Sequence, residues 1–259
     1  MRLPPDISAA KDAALSEDAK QCAAILEKQC ALAGIPLQPL QLQQFSVYYD
    51  LLTETNKVMN LTALTSPEEV AVKHFIDSLL CYDAAVMRGR KVIDVGTGAG
   101  FPGIPLKIYD PSLQLVLLDS LEKRLKFLQT AVQRLRLADV GFEHMRAEDA
   151  GRNIKMRGQA DVAVSRAVAR LSVLAEYCLP LVKKGGYFVA LKGSKYKEEI
   201  TEAENAVRIL GGSVASVKET ELPGLNDGRA IIVIRKIKDT PPAYPRKAGL
   251  PAKKPLGCN

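Results

Sequence analysis

The sequence predicts an α/β fold: a mostly parallel, seven-stranded sheet with helices on both faces, preceded by a helical region. Three observations carry this. Residues from about 6 to 85 place apolar side chains at helical spacing. From residue 90 onward, short β-rich runs alternate with helical ones, the pattern of a parallel sheet covered on both faces. A glycine-rich turn, DVGTGAGFPG at 94–103, follows the first of those strands.

The elements follow in order. SEDAKQCAAILEKQCALAG (16–34) is an amphipathic helix that stops on glycine, and LQLQQFSVYYDLLTETNKVMN (40–60) is a second. SPEEVAVKHFIDSLLCYD (66–83) opens with Ser66 as N-cap, Pro67 at the first helical position and Glu69 placed for a capping box. On that helix His74 shares a face with Asp77 and Ser78. The strands are KVIDV, LQLVLLD, GFEHM, DVAVS, YFVALK, SVASVKE and RAIIVIRK, the last two suited to antiparallel pairing across TELPGLNDG. The helices between them include LEKRLKFLQTAVQRLRL, LSVLAEYCLPLVKK and KEEITEAENAVRIL. This divides the chain into a helical region (1–85), an α/β domain (86–238) and a basic, proline-rich tail (239–259).

Composition bounds the function. The chain has 259 residues, formal charge +7 and ordinary globular content, and its longest apolar runs are strand-sized, which argues against a membrane span. The N-terminus has no apolar core of a secretory signal. Five scattered cysteines and two histidines form neither a CxxC pair nor a zinc spacing, which points to reduced thiols, a cytoplasmic setting and no metal site. The last 20 residues carry +4 of the net charge, from Arg246, Lys247, Lys253 and Lys254. That composition predicts a disordered tail, either a contact for a polyanion such as RNA or only a solubilising extension.

The glycine turn carries the chemistry. Its spacing, G-x-G-x-G through Gly96, Gly98 and Gly100, lacks the third glycine of the dinucleotide fingerprint, because Phe101 stands there. No G-x-x-x-x-G-K-[ST] string occurs. Asp94 precedes the loop, a poor neighbour for phosphate and a good one for a cation. Asp119 ends the second strand, where an acid accepts hydrogen bonds from ribose hydroxyls. A nucleoside with a positive charge and no pyrophosphate is S-adenosylmethionine. RAEDA (146–150) ends the third strand, with Glu148, or Asp149 in its place, as the candidate adenosine contact. VSRAVAR brings Ser165, Arg166 and Arg170 to the mouth of the site, and LKGSK brings Lys192 and Lys195 to the same rim. Arginine there can grip phosphate or stack on a base. Lys123, Arg124 and Lys126 open the helix after Asp119, as a solvated face or an RNA contact.

DVGTGAGFPGIPL, LLDSLEKRLKFL, VSRAVA and ALKG, with NLTAL and VKHFIDSL upstream, resemble the bacterial small-subunit rRNA guanine-N7 methyltransferases, formerly the glucose-inhibited division protein B family. The resemblance spans about residues 20–236, and the tail is similar to that of Gram-positive members. It implies a class I, Rossmann-like methyltransferase domain behind a helical region, acting on N7 of one guanine in 16S rRNA or the small-subunit particle. By motif, Gly96, Phe101, Ala147, Glu148 and Arg166 match the family's S-adenosylmethionine-binding positions. Asn60, His74 and Asp77 are candidate RNA contacts or pins between the helical region and the catalytic domain, and Arg124, Arg170 and Lys195 are further RNA candidates. Guanine N7 needs no general base, so Arg166 and Lys192 are expected to position rather than to move protons. A monomer is expected.

Overall fold

The computed structural model describes residues 15–166, 169–225 and 227–257. The first 14 residues, two residues of the VSRAVAR turn, Asn226, Cys258 and Asn259 lie outside the described residues.

Two long helices begin the chain, α1 (Glu17–Leu32) and α2 (Pro39–Met59). A third helical stretch follows as α3 (Pro67–Glu69), a π-helical segment (Val70–Ile76) and α4 (Asp77–Leu79). Ser66 caps it by accepting from the Glu69 N–H, and its hydroxyl donates to the Glu69 carboxylate. The regular helix expected over 66–83 is therefore widened by a π segment, a distortion that often marks functional sites. A short α5 (Ala84–Met87) leads into the sheet.

The sheet has seven strands: β1 (Lys91–Val95), β2 (Gln114–Asp119), β3 (Val140–His144), β4 (Ala160–Arg166), β5 (Val182–Lys192), β6 (Gly212–Thr220) and β7 (Arg229–Lys236). Their spatial order is β3-β2-β1-β4-β5-β7-β6. β1 to β5 pair in parallel, and β7 runs antiparallel to both neighbours. The predicted β6–β7 antiparallel pair is thus present. Helices α6 (Gly103–Tyr109), α7 (Glu122–Arg134), α8 (Ala147–Arg152), α9 (Leu171–Cys178) and α10 (Tyr196–Ile209) connect the strands.

Side chains alternate between two cores because strand residues point to opposite faces. Val189 and Leu191 of β5 join the core beneath α1, α2 and the π segment, whereas Phe188 and Ala190 join the one beneath α9 and α10. Strand order reverses between β1 and β4, and the crevice at the carboxyl ends of those strands is where such sheets bind ligands. No helix among the described residues is long and apolar enough to cross a membrane. Cys22, Cys30, Cys81 and Cys178 are buried free thiols, and burial pushes Cys22 and Cys30 up to about 12, which leaves them unreactive.

The tail departs from the expected disorder. Residues 239–257 pack against α8 and α9, with Thr240 and Pro251 buried and a short α11 (Leu250–Lys253) near the end. Composition predicted disorder because the tail cannot bury a core of its own. It does not need one: Arg157 donates to the Tyr244 carbonyl at 2.7 Å and the Thr240 carbonyl at 2.6 Å, and Arg152 to the Pro245 carbonyl at 2.8 Å.

Candidate active site

The crevice holds a cavity of about 570 Å³, the size of a small-molecule site. Gly96, Gly98 and Phe101 line it from the loop, Asp119 from the end of β2 with Arg124 from the first turn of α7, Ala147 and Glu148 from α8, and Arg166 from β4. Sequence-predicted residues from four separate stretches thus meet in one space.

The loop's glycines serve different neighbours. Gly98, at φ +61°, borders the cavity, and a Cβ there would find only the Gly96 carbonyl oxygen, at 3.9 Å. Its N–H donates to Asp119 Oδ2 at 2.9 Å, so the acid at the end of β2 holds the loop in place. Gly100, at φ +99°, does not line the cavity: a Cβ there would sit 2.5 Å from the Tyr48 hydroxyl and 2.8 Å from Ile104 and Leu128. Tyr48 of α2 donates to the Ala99 carbonyl. Gly100 therefore admits the protein's own helix rather than a ligand, a correction to its expected role as a cofactor contact.

Asp94 is a second correction. Its side chain is fully buried and lies outside the cavity lining. Oδ2 accepts from the Thr97 hydroxyl at 2.6 Å and the Gly103 N–H at 2.9 Å, bracing both ends of the loop. Oδ1 is buried without a partner among the described residues, and burial raises the carboxyl to about 6. Asp119, by contrast, lines the cavity, accepts from the Leu121 N–H and pairs with Arg124 at 3.4 Å.

Arg166 is the hub between the helical region and the sheet. Nη1 donates to the Lys73 carbonyl and to Asp77 Oδ2, each at 3.0 Å, and Nη2 donates to His74 Nδ1 at 3.0 Å. Among the described residues Nε–H and the second Nη2 hydrogen are unengaged, leaving a fork at the cavity wall. Arginine only donates, so His74 Nδ1 is the acceptor and its proton is on Nε2, which donates to Thr62 Oγ1 at 2.8 Å. Burial, then the Arg166 charge, lowers His74 to about 3, so the ring is neutral. It stacks on Phe101, with centroids 4.4 Å apart, and Arg166 lies 4.9 Å from the same ring centre.

The other predicted residues divide. Asp77 is buried between Arg166 and Arg229, 3.0 Å from each, so it pins the helical region to the sheet and does not face RNA. Lys192 is also turned away from the cavity: it is buried, pairs with Glu199 at 2.7 Å and donates to the Ala169 carbonyl. A long side chain at a strand end reached an acid on the next helix first, so a positioning role at the reacting atoms does not fit it. Asn60 is exposed and ends α2 in the left-handed region, φ 51°, turning Leu61 and Thr62 onto the cavity wall. Arg170 is exposed and paired with Glu202 at 3.2 Å, and Lys195 is exposed before α10. Arg124 sits in the cavity wall instead of an outer face.

Sequence reasoning missed Tyr48, Thr62, Tyr177, Arg229, Gly249 and Ala252. Thr62 sat in the NLTAL string already singled out, and Arg229 directly follows the glycine of NDG. Nothing local marks the other four.

The family model described as "rRNA small subunit methyltransferase G" matches residues 41–226. This chain belongs to that family. A protein named ribosomal RNA small subunit methyltransferase G from Alkaliphilus metalliredigens is 53% identical over 233 residues, covering 90% of this chain and 98% of the relative. One of the same name from Lactobacillus johnsonii is 52% identical over 235 residues, with the same coverage. Among solved structures, M. jannaschii TYW2 in complex with AdoMet superposes with a TM-score of 0.50 at 14% identity, over 62% of this chain and 75% of that one, which shows the shared fold. The relatives' shared name gives their reaction as methyl transfer to small-subunit rRNA, and the TYW2 structure holds AdoMet as the donor. The cavity suits that donor: a glycine wall without Cβ atoms, an acid at the end of β2 and an arginine fork at the opposite end.

Proposed function

We propose that the protein transfers the methyl group of S-adenosylmethionine to N7 of one guanine in 16S rRNA, as a cytoplasmic monomer. The observation that carries this is the meeting of the glycine loop, Asp119, Glu148 and Arg166 around one cavity, in a chain of the small-subunit rRNA methyltransferase family.

The donor, when bound, supplies an electrophilic methyl on a sulfonium. The chain's own groups hold it. Asp119 accepts from ribose hydroxyls, Glu148 from the adenosine, and the backbone around Gly98 lies close along the ligand. The Arg166 fork and Thr62 take the carboxylate end. Thr62 Oγ1 already accepts from His74 and from the Leu64 N–H at 3.0 Å, so its own hydrogen is left to donate. Asp94 acts through the loop it braces, and its buried carboxylate favours a cationic ligand above.

Guanine N7 carries a lone pair and no proton, so attack needs no base. The site agrees with this: His74 is neutral, and its one free lone pair is taken by Arg166. The rate then rests on holding N7 in line with the methyl at about 3 Å. Exposed Arg170 and Lys195, with Asn60, are left to hold the RNA backbone. The helical region covers the donor, the α/β domain holds it, and RNA docks across their shared rim.

The test is methyl transfer from labelled S-adenosylmethionine to 16S rRNA and to small-subunit particles, with the modified base mapped. Label at one guanine N7 is expected. Label on another base, on protein or on a small molecule would sink the reading.

A further inference from the structure

The tail reaches the site. Arg246 forms a two-pronged pair with Glu176, Nη2 to Oε2 at 2.6 Å and Nε to Oε1 at 2.9 Å, and its own N–H donates to Oε1 at 2.7 Å. Glu176 is fully buried, so this pairing fixes the tail at a point where an unpaired carboxylate would be costly. Lys236 is buried and donates to Thr240, fixing the tail's start, as do Arg157 and Arg152 further on. Gly151 is packed so closely that a Cβ would lie 2.8 Å from Pro245. Three residues past Arg246, the Gly249 N–H donates to Glu148 Oε1 at 2.7 Å. Gly249 and Ala252 both line the cavity.

We propose that residues 246–252 are a built part of the cofactor's binding site, forming its wall at the adenosine end. This rests on the assignment of the cavity to S-adenosylmethionine. Gly249 is a positioning residue: its N–H occupies one oxygen of Glu148 and fixes the rotamer, so that the other oxygen is presented to a hydroxyl or amino donor of the adenosine. Ala252 limits the room beside it. The matched family region ends at residue 226, so this wall comes from outside it. The adenosyl group is common to S-adenosylmethionine and the product S-adenosylhomocysteine, so the wall serves both equally and acts on binding, not on the methyl step.

Two full-length variants test this. Pro251→Asp puts a charge where Pro251 is buried and releases α11 while keeping the Arg246–Glu176 pair. Ala252→Trp adds bulk at an exposed residue of the wall. In each, calorimetry should give an affinity about tenfold weaker for both ligands, with KM for the donor raised and kcat at saturation changed less than about twofold. The unliganded melting temperature of Ala252→Trp should match the parent's. Glu148→Ala is the reference. If it weakens binding and both tail variants bind normally, the wall is overturned and the cavity assignment stands. If all three bind normally, both fall. A loss of kcat with affinity intact would also overturn the proposal.

Discussion

The two ends of the cavity are closed by segments from opposite ends of the chain, and they are held by different means. At one end the helical region is pinned through side chains: Asp77 lies between Arg166 and Arg229, and His74 lies between Arg166, Thr62 and Phe101. At the other end the tail is held through backbone groups, with its carbonyls on Arg157 and Arg152 and its N–H groups on Glu176 and Glu148, and through one side-chain pair, Arg246 with Glu176. The first device ties fold and site into one network, so damage there reaches both. The second is anchored at Arg246–Glu176, and the stretch past that anchor lies on the cavity, so damage there, at 249–252, should reach binding more than stability.

The strongest test of that contrast is Arg166→Ala. It leaves His74 without its donor and Asp77 with Arg229 only. Breaking such a buried pair costs about 3 kcal/mol, and the fork is lost with it, so methyl transfer should fall about 100-fold or more. Urea unfolding and single-turnover methylation measure the two. Arg229→Ala sharpens the comparison, because it removes the other partner of Asp77 from outside the cavity. It should lower stability while leaving cofactor affinity near the parent's. Equal loss of affinity in both variants would reduce Arg166 to a pin.

Gly100→Ala attacks the joint between α2 and the loop. The φ of +99° and the 2.5 Å approach to Tyr48 make a cost of about 2 kcal/mol in stability. Adding Tyr48→Phe should recover part of it, since the colliding oxygen is removed. Gly98→Ala is the partner experiment: its Cβ meets only the Gly96 carbonyl oxygen at 3.9 Å, which leaves the left-handed φ as its cost without a clash, so stability should change less and cofactor affinity more. The reverse ranking would mean that Gly98 faces the protein and Gly100 the ligand.

That division explains what could be read from the sequence. The strand–helix alternation fixed the sheet because residues such as Phe188 and Val189 alternate between two cores, a pattern local to each strand. That Gly96, Gly98, Phe101, Asp119, Ala147, Glu148 and Arg166 would line one cavity was legible because motif position at a strand's carboxyl end maps onto the crevice. Whether Lys192 or Asp94 faced the crevice was not legible. Glu199 on α10 and Gly103 at the start of α6 decide that, and a strand's own residues say nothing of its neighbours. The tail was least legible of all: its partners Arg157, Glu176 and Glu148 lie 70 to 101 residues away, some distance beyond any local period.

Asp119→Ala should weaken cofactor binding about tenfold, roughly 1.4 kcal/mol, by calorimetry. Asp119 also holds Gly98 and the N–H of Leu121, so part of that loss is a looser loop. Asp119→Asn keeps an acceptor and should lose less. Unchanged affinity in both would remove Asp119 from the site.

The smallest effect separates the two ends by pH. His74 belongs to the helical end, and its ring is lowered from 6.5 to about 3, first by burial and then by Arg166. The folded state keeps it neutral while the unfolded chain binds a proton below 6.5. The unfolded state therefore holds more protons in that window, and stability falls as pH falls from 6.5 toward 3. Between about pH 7 and pH 5.5 this amounts to about 1 kcal/mol. The effect is isolated by comparing the parent with His74→Gln, whose amide can still accept from Arg166 and cannot titrate. Other groups titrate alike in both proteins, so the parent should lose about 1 kcal/mol more over that interval in urea unfolding. Parallel pH profiles would mean that the ring is not held neutral, and the hydrogen-bond direction from His74 to Thr62 would fall with it.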